Sequence, residues 1–254
     1  LIVLAIRKEY EPSLLLPMGF GAILVNLPLS GVLNQVLEGA GETQGVIEWL
    51  FHTTIEASEV LPVLLFIGIG AMIDFGPLLA NPKLFLFGAG AQFGIFAALI
   101  LAAALGFDLK DAASIAMIGA ADGPTSILVS QILKSNYVGA IAVAAYSYMA
   151  LVPVIQPPIM KALTTKKARS IVMKQLRPVS KTEKIIFPIA VVIFVALLVP
   201  SATPLVGCLM FGNLLKETGV TERLAKTAQN ELMNIVTLFL GISVGATATA
   251  KEFL

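Results

Sequence analysis

The chain has 254 residues, 57% of them hydrophobic and 13% charged, with 21 glycines, 14 prolines and a mean hydropathy of +0.90. That balance excludes an ordinary water-soluble domain, and an aromatic content of only 7% suits closely packed, interrupted transmembrane helices. A net charge of +1 gives no reason to expect a nucleic-acid partner, and one cysteine, Cys208, with one histidine, His52, leaves no internal disulfide and no Cys/His metal site.

Leu1 to Ile6 reads as the tail of a helix and runs into Arg7–Glu11 without the small-residue site of a cleavable signal peptide. The closing residues, Ala250 to Leu254, leave an apolar segment open, so the chain is expected to be a fragment. A membrane crossing needs about 20 mostly apolar residues. Pro12 to Leu37 is apolar but interrupted by Gly19, Gly21, Pro28 and Gly31, which suggests a segment that dips into the membrane. Val60 to Leu79 is a crossing candidate with Asp74 near its far end, and Leu84 to Phe107 carries no charge at all. Ala112 to Leu133 is apolar except for Asp122 at its middle, and Tyr137 to Met160 follows with Tyr146 and Tyr148 inside it. Next comes a basic loop, 161–184, whose eight Lys and Arg residues, Lys174 among them, face one acid, Glu183. The positive-inside rule puts this loop in the cytoplasm, and it also suits docking of a soluble partner or anionic lipid. Beyond it lie Ile185 to Val199, Leu205 to Leu215 and Ile235 to Ala250, the last preceded by an amphipathic stretch, Val220 to Leu232, that reads as an interfacial or packing helix.

The expected fold is an all-α polytopic membrane protein: a bundle of transmembrane helices with broken or re-entrant members, roughly six to eight segments. It divides into a first membrane block, 1–160, holding the Asp122 broken helix, the basic cytoplasmic loop, 161–184, and the start of a second block, 185–254. Such blocks suggest the first part of an inverted-repeat transporter fold, although no sequence repeat is visible.

Ile118-Gly-Ala-Ala-Asp-Gly-Pro-Thr-Ser126 is the most informative stretch. A carboxylate near mid-membrane costs about 2.5 to 3.5 kcal/mol on insertion scales, so something must offset it. Gly123 and Pro124 should break the helix at the acid and free backbone carbonyls, and Thr125 and Ser126 add hydroxyls. Carboxylate, carbonyl and hydroxyl oxygens are what a hard cation coordinates. Asp122, Gly123, Thr125 and Ser126 are therefore the candidate ligands of a small cation. The structural alternatives are an ion pair with a buried base, of which the apolar segments contain none, or a cap on a half-helix. Tyr148, with Tyr146 two residues before it, could join a proton path with Asp122 or orient a sodium ligand, or the pair could serve only interhelical packing. Asp74 precedes a glycine and proline and reads as a loop cap or part of a gate. Asn213 and Asn234 read as amide ligands or as interhelical glue. There is no nucleotide-binding glycine loop of the G-x-x-x-x-G-K type.

Four runs carry a resemblance: Gly68-Ile-Gly-Ala-Met-Ile-Asp-Phe-Gly-Pro-Leu-Leu-Ala-Asn-Pro82, Gly119-Ala-Ala-Asp-Gly-Pro-Thr-Ser126, Ala140-Ile-Ala-Val-Ala-Ala-Tyr-Ser-Tyr-Met-Ala-Leu-Val-Pro153 and Phe211-Gly-Asn-Leu-Leu-Lys-Glu217. Over essentially its whole length the chain resembles the beta subunit of the sodium-transporting biotin-dependent decarboxylases, which act on oxaloacetate, methylmalonyl-CoA or glutaconyl-CoA. The resemblance implies a translocase in a bacterial-type cytoplasmic membrane that decarboxylates carboxybiotin carried by a partner subunit while exporting sodium and taking up a proton. It implies as partners a biotinylated carboxyltransferase subunit or biotin carrier and a small single-span membrane subunit, in an oligomeric complex within the bilayer. By matching motif, Asp122 would be the aspartate that alternates between sodium and a proton, and Tyr148 the functional tyrosine. Members of the family continue into a second half with an Asn-Pro-Leu-Ile-Gly-like motif, a serine and an arginine, which this sequence does not contain. The residues by themselves also suit a secondary cation/proton antiporter built on a broken-helix carboxylate.

Overall fold

The computed structural model describes residues 1–9, 12–37, 39, 41–58, 60–172 and 177–250; Lys174 and residues 251–254 lie outside them. Two short helices, α1 (Ile2–Lys8) and α2 (Pro12–Asn26), lead to an antiparallel hairpin of β1 (Asn34–Leu37) and β2 (Gly41–Gln44), in register Asn34↔Gln44. The membrane dip expected across Pro12 to Leu37 therefore ends at Asn26. Pro28 and Gly31 stop the helix, and strands carrying Asn34, Gln35, Glu42, Thr43 and Gln44 offer no apolar face to lipid.

Helices α3 (Val46–Phe51), α4 (Val60–Met72) and α5 (Gly76–Ala80) precede α6 (Phe85–Ala104), which with the turn before it, Pro82–Ala104, is the one unbroken helix among the described residues long and apolar enough to cross a membrane. Next come α7 (Leu109–Ala116), α8 (Gly123–Ile132) and α9 (Val138–Leu163), the last bent by 62° between Val138–Met149 and Val154–Leu163. The short α10 (Lys166–Arg169) lies in the basic loop, followed by α11 (Lys181–Leu198), α12 (Thr203–Thr218), α13 (Glu222–Thr227) and α14 (Met233–Ala246). The architecture is all-α and membrane-adapted. Its described helices are shorter and more bent than six to eight plain crossings would be, because Gly and Pro punctuate the apolar stretches. A helical turn of the wider π type at Ala228–Leu232 joins α13 to α14, so Val220 to Leu232 is helical from Glu222 on, as the first part of one long helical run. Ala225 and Ala228 of that run are buried, while Val220 and Leu224 are exposed.

Helices α4 and α12 pack at backbone contact. A Cβ added at Gly70 would land on the Leu209 carbonyl, and one at Gly212 on the Ile67 carbonyl, the close approach that small residues permit in membrane helices. The same partner helix completes the C-terminus of α4, whose last carbonyls have no helical donor. Buried Asn213 donates to the Gly70 and Ile73 carbonyls at 3.3 and 3.0 Å, and Lys216 donates to Met72 and Ile73 at 3.3 and 3.0 Å. Gln229 donates to Ala71 at 2.5 Å. Asn213 thus serves as interhelical glue.

Asp74, just past this terminus, accepts the Gly76 N–H at 2.8 Å and pairs with Lys184 at 3.2 Å, and Lys184 lies 3.7 Å from Glu217. The Gly76 N–H, aided by Lys184, holds the Asp74 carboxyl below its ordinary value, as the cap reading requires. Arg177 joins the end of the basic loop to the same region, donating to the Leu79 carbonyl at 3.0 Å and pairing with Glu183 at 2.8 Å. These contacts place the C-termini of α4 and α12 and the N-terminus of α11 at one end of the bundle, the basic-loop side. At the opposite end Asn26 bonds the Ala248 carbonyl and the Ala250 N–H, each at 2.8 Å, so α2 and α14 run in the same direction. The core between the two ends is built on Met18, Ile55, Ile127, Tyr146, Leu240 and Val244.

Candidate cation site

The stretch around Asp122 folds as a re-entrant hairpin. Helix α7 tightens into a 3₁₀ turn at Met117–Ala120, Ala121 takes the left-handed conformation (φ 55°), and Asp122 is extended (φ −134°, ψ 103°) before α8 starts at Gly123. Proline within the first turn suits a helix start, because the N–H it lacks there has no helical acceptor. The two open ends are tied together: Asp111 accepts from the Ser135 hydroxyl at 2.7 Å, the Asn136 N–H at 3.0 Å and the Asn136 amide at 3.2 Å. Ala112 to Leu133 therefore leaves by the side it entered rather than passing through, because the left-handed turn at Ala121 reverses the chain. A ten-residue arm rises about 15 Å, half the thickness of a hydrocarbon core, so a hairpin of this length that enters from a membrane surface is long enough to reach its middle.

At the tip, Asp122 occupies the N-cap position of α8, and the Thr125 hydroxyl donates to its carboxylate. Ser126, fully buried, turns its hydroxyl to the Asp122 carbonyl at 2.8 Å and the Met117 carbonyl at 3.1 Å, which joins the two arms. The Gly123 N–H points at the Met149 sulfur, 3.1 Å away, a weak acceptor. The aromatic ring of Tyr146 lies against Gly123 so closely that a Cβ there would fall 2.5 to 2.9 Å from three ring carbons. Tyr146 is 1% exposed, and among the described residues its hydroxyl has no hydrogen-bond partner. Asp122 forms no ion pair among the described residues.

Asp122 borders a cavity of about 420 Å³ whose polar lining is Ser13, Asp122, Tyr146, Gln229, Asn234 and Thr237, with Met72, Met149 and Met233 among the apolar lining. Of the residues expected at the site, Asp122, Gly123, Thr125 and Ser126 come together at the hairpin tip, with the Ser126 hydroxyl committed to the two carbonyls. Tyr148 does not join them. It is 37% exposed and lines a separate groove of about 310 Å³ with Val152, Ile155, Gln156, Ile159 and Met160. Residues two apart on a helix point about 200° from each other, so only one of the two tyrosines can face the hairpin, and that one is Tyr146. Gln229, Thr237 and Met149 were not expected at the site. For two of them the signal was helical spacing: Thr237 lies one turn beyond Asn234, and Met149 one turn beyond Tyr146.

The whole chain, residues 1–254, matches the family model described as the Na+-transporting oxaloacetate decarboxylase beta subunit. It is 53% identical over 270 residues to a methylmalonyl-CoA decarboxylase subunit beta of Propionigenium modestum, with all of this chain and 68% of the relative covered. It is 51% identical over 254 residues to a glutaconyl-CoA decarboxylase subunit beta of Acidaminococcus fermentans, and 48% identical over 308 residues to a probable oxaloacetate decarboxylase beta chain of Vibrio cholerae; all of this chain is covered in both, with 65% and 71% of the relatives. The chain thus spans about two thirds of the length of these relatives. With this likeness along its full length, and with a carboxylate at the tip of a broken hairpin, the chain belongs to the beta-subunit family of the sodium-transporting decarboxylases.

Proposed function

We propose that this chain couples decarboxylation of carboxybiotin, carried by a partner subunit, to sodium export past Asp122 with uptake of a proton in the other direction. The observation that carries this reading is Asp122 itself: a carboxylate at the tip of a re-entrant hairpin, beside a cavity that holds further polar side chains and without a basic partner among the described residues. Such a group is neutralised by a cation or by a proton, and occupying it with each in turn exchanges one for the other. Loss of CO2 from carboxybiotin leaves a nitrogen that takes up one proton, so the chemistry consumes what the exchange delivers. Asp122 is the exchanging carboxylate in this reading, Thr125 orients it, and Gly123 and Ser126 complete the tip as candidate sodium ligands. Tyr148, on the outer face of α9, is proposed to act where that face meets the rest of the transport machinery.

The chain is a multi-pass protein of a bacterial-type cytoplasmic membrane in this proposal, the first part of an inverted-repeat architecture with the basic loop in the cytoplasm. Its partners are a biotinylated carboxyltransferase subunit or biotin carrier and a small single-span subunit. The family likeness favours this over the antiporter reading, which needs no biotin partner. The test is sodium uptake into vesicles holding the complete complex. Uptake is expected only when a carboxylated substrate is supplied, and uptake without it would overturn the coupling.

A further inference from the structure

The cavity at Asp122 is not symmetric about the hairpin tip. Apart from Tyr146, which lies beside the tip, its other polar residues come from the basic-loop ends of three elements: Ser13 opens α2, Gln229 precedes α14, and Asn234 and Thr237 lie in the first turns of α14. Met72, the last residue of α4, borders it at the same end, where Lys216 holds the Met72 carbonyl. Farther along α14, toward the opposite face, the lining gives way to Leu240 and Val244, which pack with Ile55 and Ile127, all four at most 1% exposed. Asp122 therefore faces a vestibule that carries polar side chains among apolar ones on the basic-loop side, and a wholly apolar plug on the other.

The far wall of that vestibule has oxygen atoms to offer. Gln229 spends its amide N–H on the Ala71 carbonyl, which fixes the side chain and leaves its carbonyl oxygen as an acceptor. Asn234 and Thr237, one helical turn apart, present an amide and a hydroxyl to the same space. At about 420 Å³ the cavity holds a small cation together with several waters. A cation resting on the Asp122 carboxylate is then coordinated by protein on one side and by water on the other.

We infer that Gln229, Asn234 and Thr237 are positioning residues that hold the hydration of the incoming cation, so that sodium reaches Asp122 from the basic-loop side without shedding all its water at once. This rests on Asp122 being the cation-binding carboxylate. Because these residues touch the cation's water rather than the reacting atoms, their loss weakens sodium binding and leaves turnover at saturating sodium in place.

The experiment uses the full-length subunit in its complete complex, reconstituted in one orientation, with substrate-driven turnover measured against sodium concentration on the basic-loop side. Asn234→Ala and Thr237→Val are each expected to raise half-saturating sodium roughly 5- to 20-fold, the scale of one lost polar contact, with maximal turnover within about twofold. Thr237→Ser keeps the hydroxyl and is expected to restore the original half-saturation, which a packing defect would not allow. Asp122→Asn is the control. If it abolishes sodium-dependent turnover while Asn234→Ala and Thr237→Val leave half-saturation unchanged, the wall has no role and this inference fails alone. If Asp122→Asn keeps a normal sodium dependence, the underlying site reading fails with it.

Discussion

Asp122→Asn is expected to lower substrate-driven sodium uptake by at least ~100-fold, about 2.7 kcal/mol of lost stabilisation, while leaving the subunit folded. The neutral amide still offers an oxygen to the Thr125 hydroxyl, and the backbone bonds of Ser126 that join the two arms do not involve the Asp122 side chain. The substitution removes the charge and keeps the shape. Removing a charged group from mid-membrane is also favourable to insertion, so thermal stability should be equal or higher. Uptake of radioactive sodium into vesicles, beside a melting curve in detergent, reads both quantities. An inactive protein that had also unfolded would point to a structural acid, and an active one would remove Asp122 from transport.

Gly123→Ala tests how the tip is held. The added methyl would sit 2.5 to 2.9 Å from the Tyr146 ring, and any shift of the ring disturbs its packing in the core that includes Ile127 and Ala142. Overpacking of this kind costs about 1 to 3 kcal/mol, so a drop in melting temperature of several degrees is expected together with a large loss of transport. Tyr146→Leu opens space at that position, and the double variant Gly123→Ala/Tyr146→Leu is expected to recover much of the stability lost by Gly123→Ala, a coupling that a double-mutant cycle measures directly. Additive losses would show that the two residues are not in contact.

Much of the hairpin tip was legible in the sequence because local covalent chemistry decides it. Glycine followed by proline breaks a helix whatever surrounds it, and an acid among apolar residues must be placed where something can answer its charge. The direction of the chain after the break was not legible. A helix that resumes and a helix that turns back obey the same propensities, and the difference lies in the left-handed turn at Ala121 and in Asp111, whose three bonds to Ser135 and Asn136 close the hairpin mouth. The tyrosine pair shows a similar boundary. Spacing says that Tyr146 and Tyr148 cannot both face Asp122, but choosing between them needs the position of Gly123 against α9, a contact between residues of different elements. The polar wall at Gln229, Asn234 and Thr237 lies more than 100 residues beyond Asp122, and only the packing of α2, α4 and α14 brings it to the cavity.

The central claim is that one carboxylate exchanges sodium for a proton on the strength of decarboxylation. It is tested most directly in sealed vesicles of the complete complex, with sodium and proton movements recorded together after a pulse of carboxylated substrate. The expected result is simultaneous, opposite movement of the two ions in fixed proportion, both lost in Asp122→Asn. Sodium uptake driven by a pH gradient alone, with no substrate present, would contradict it.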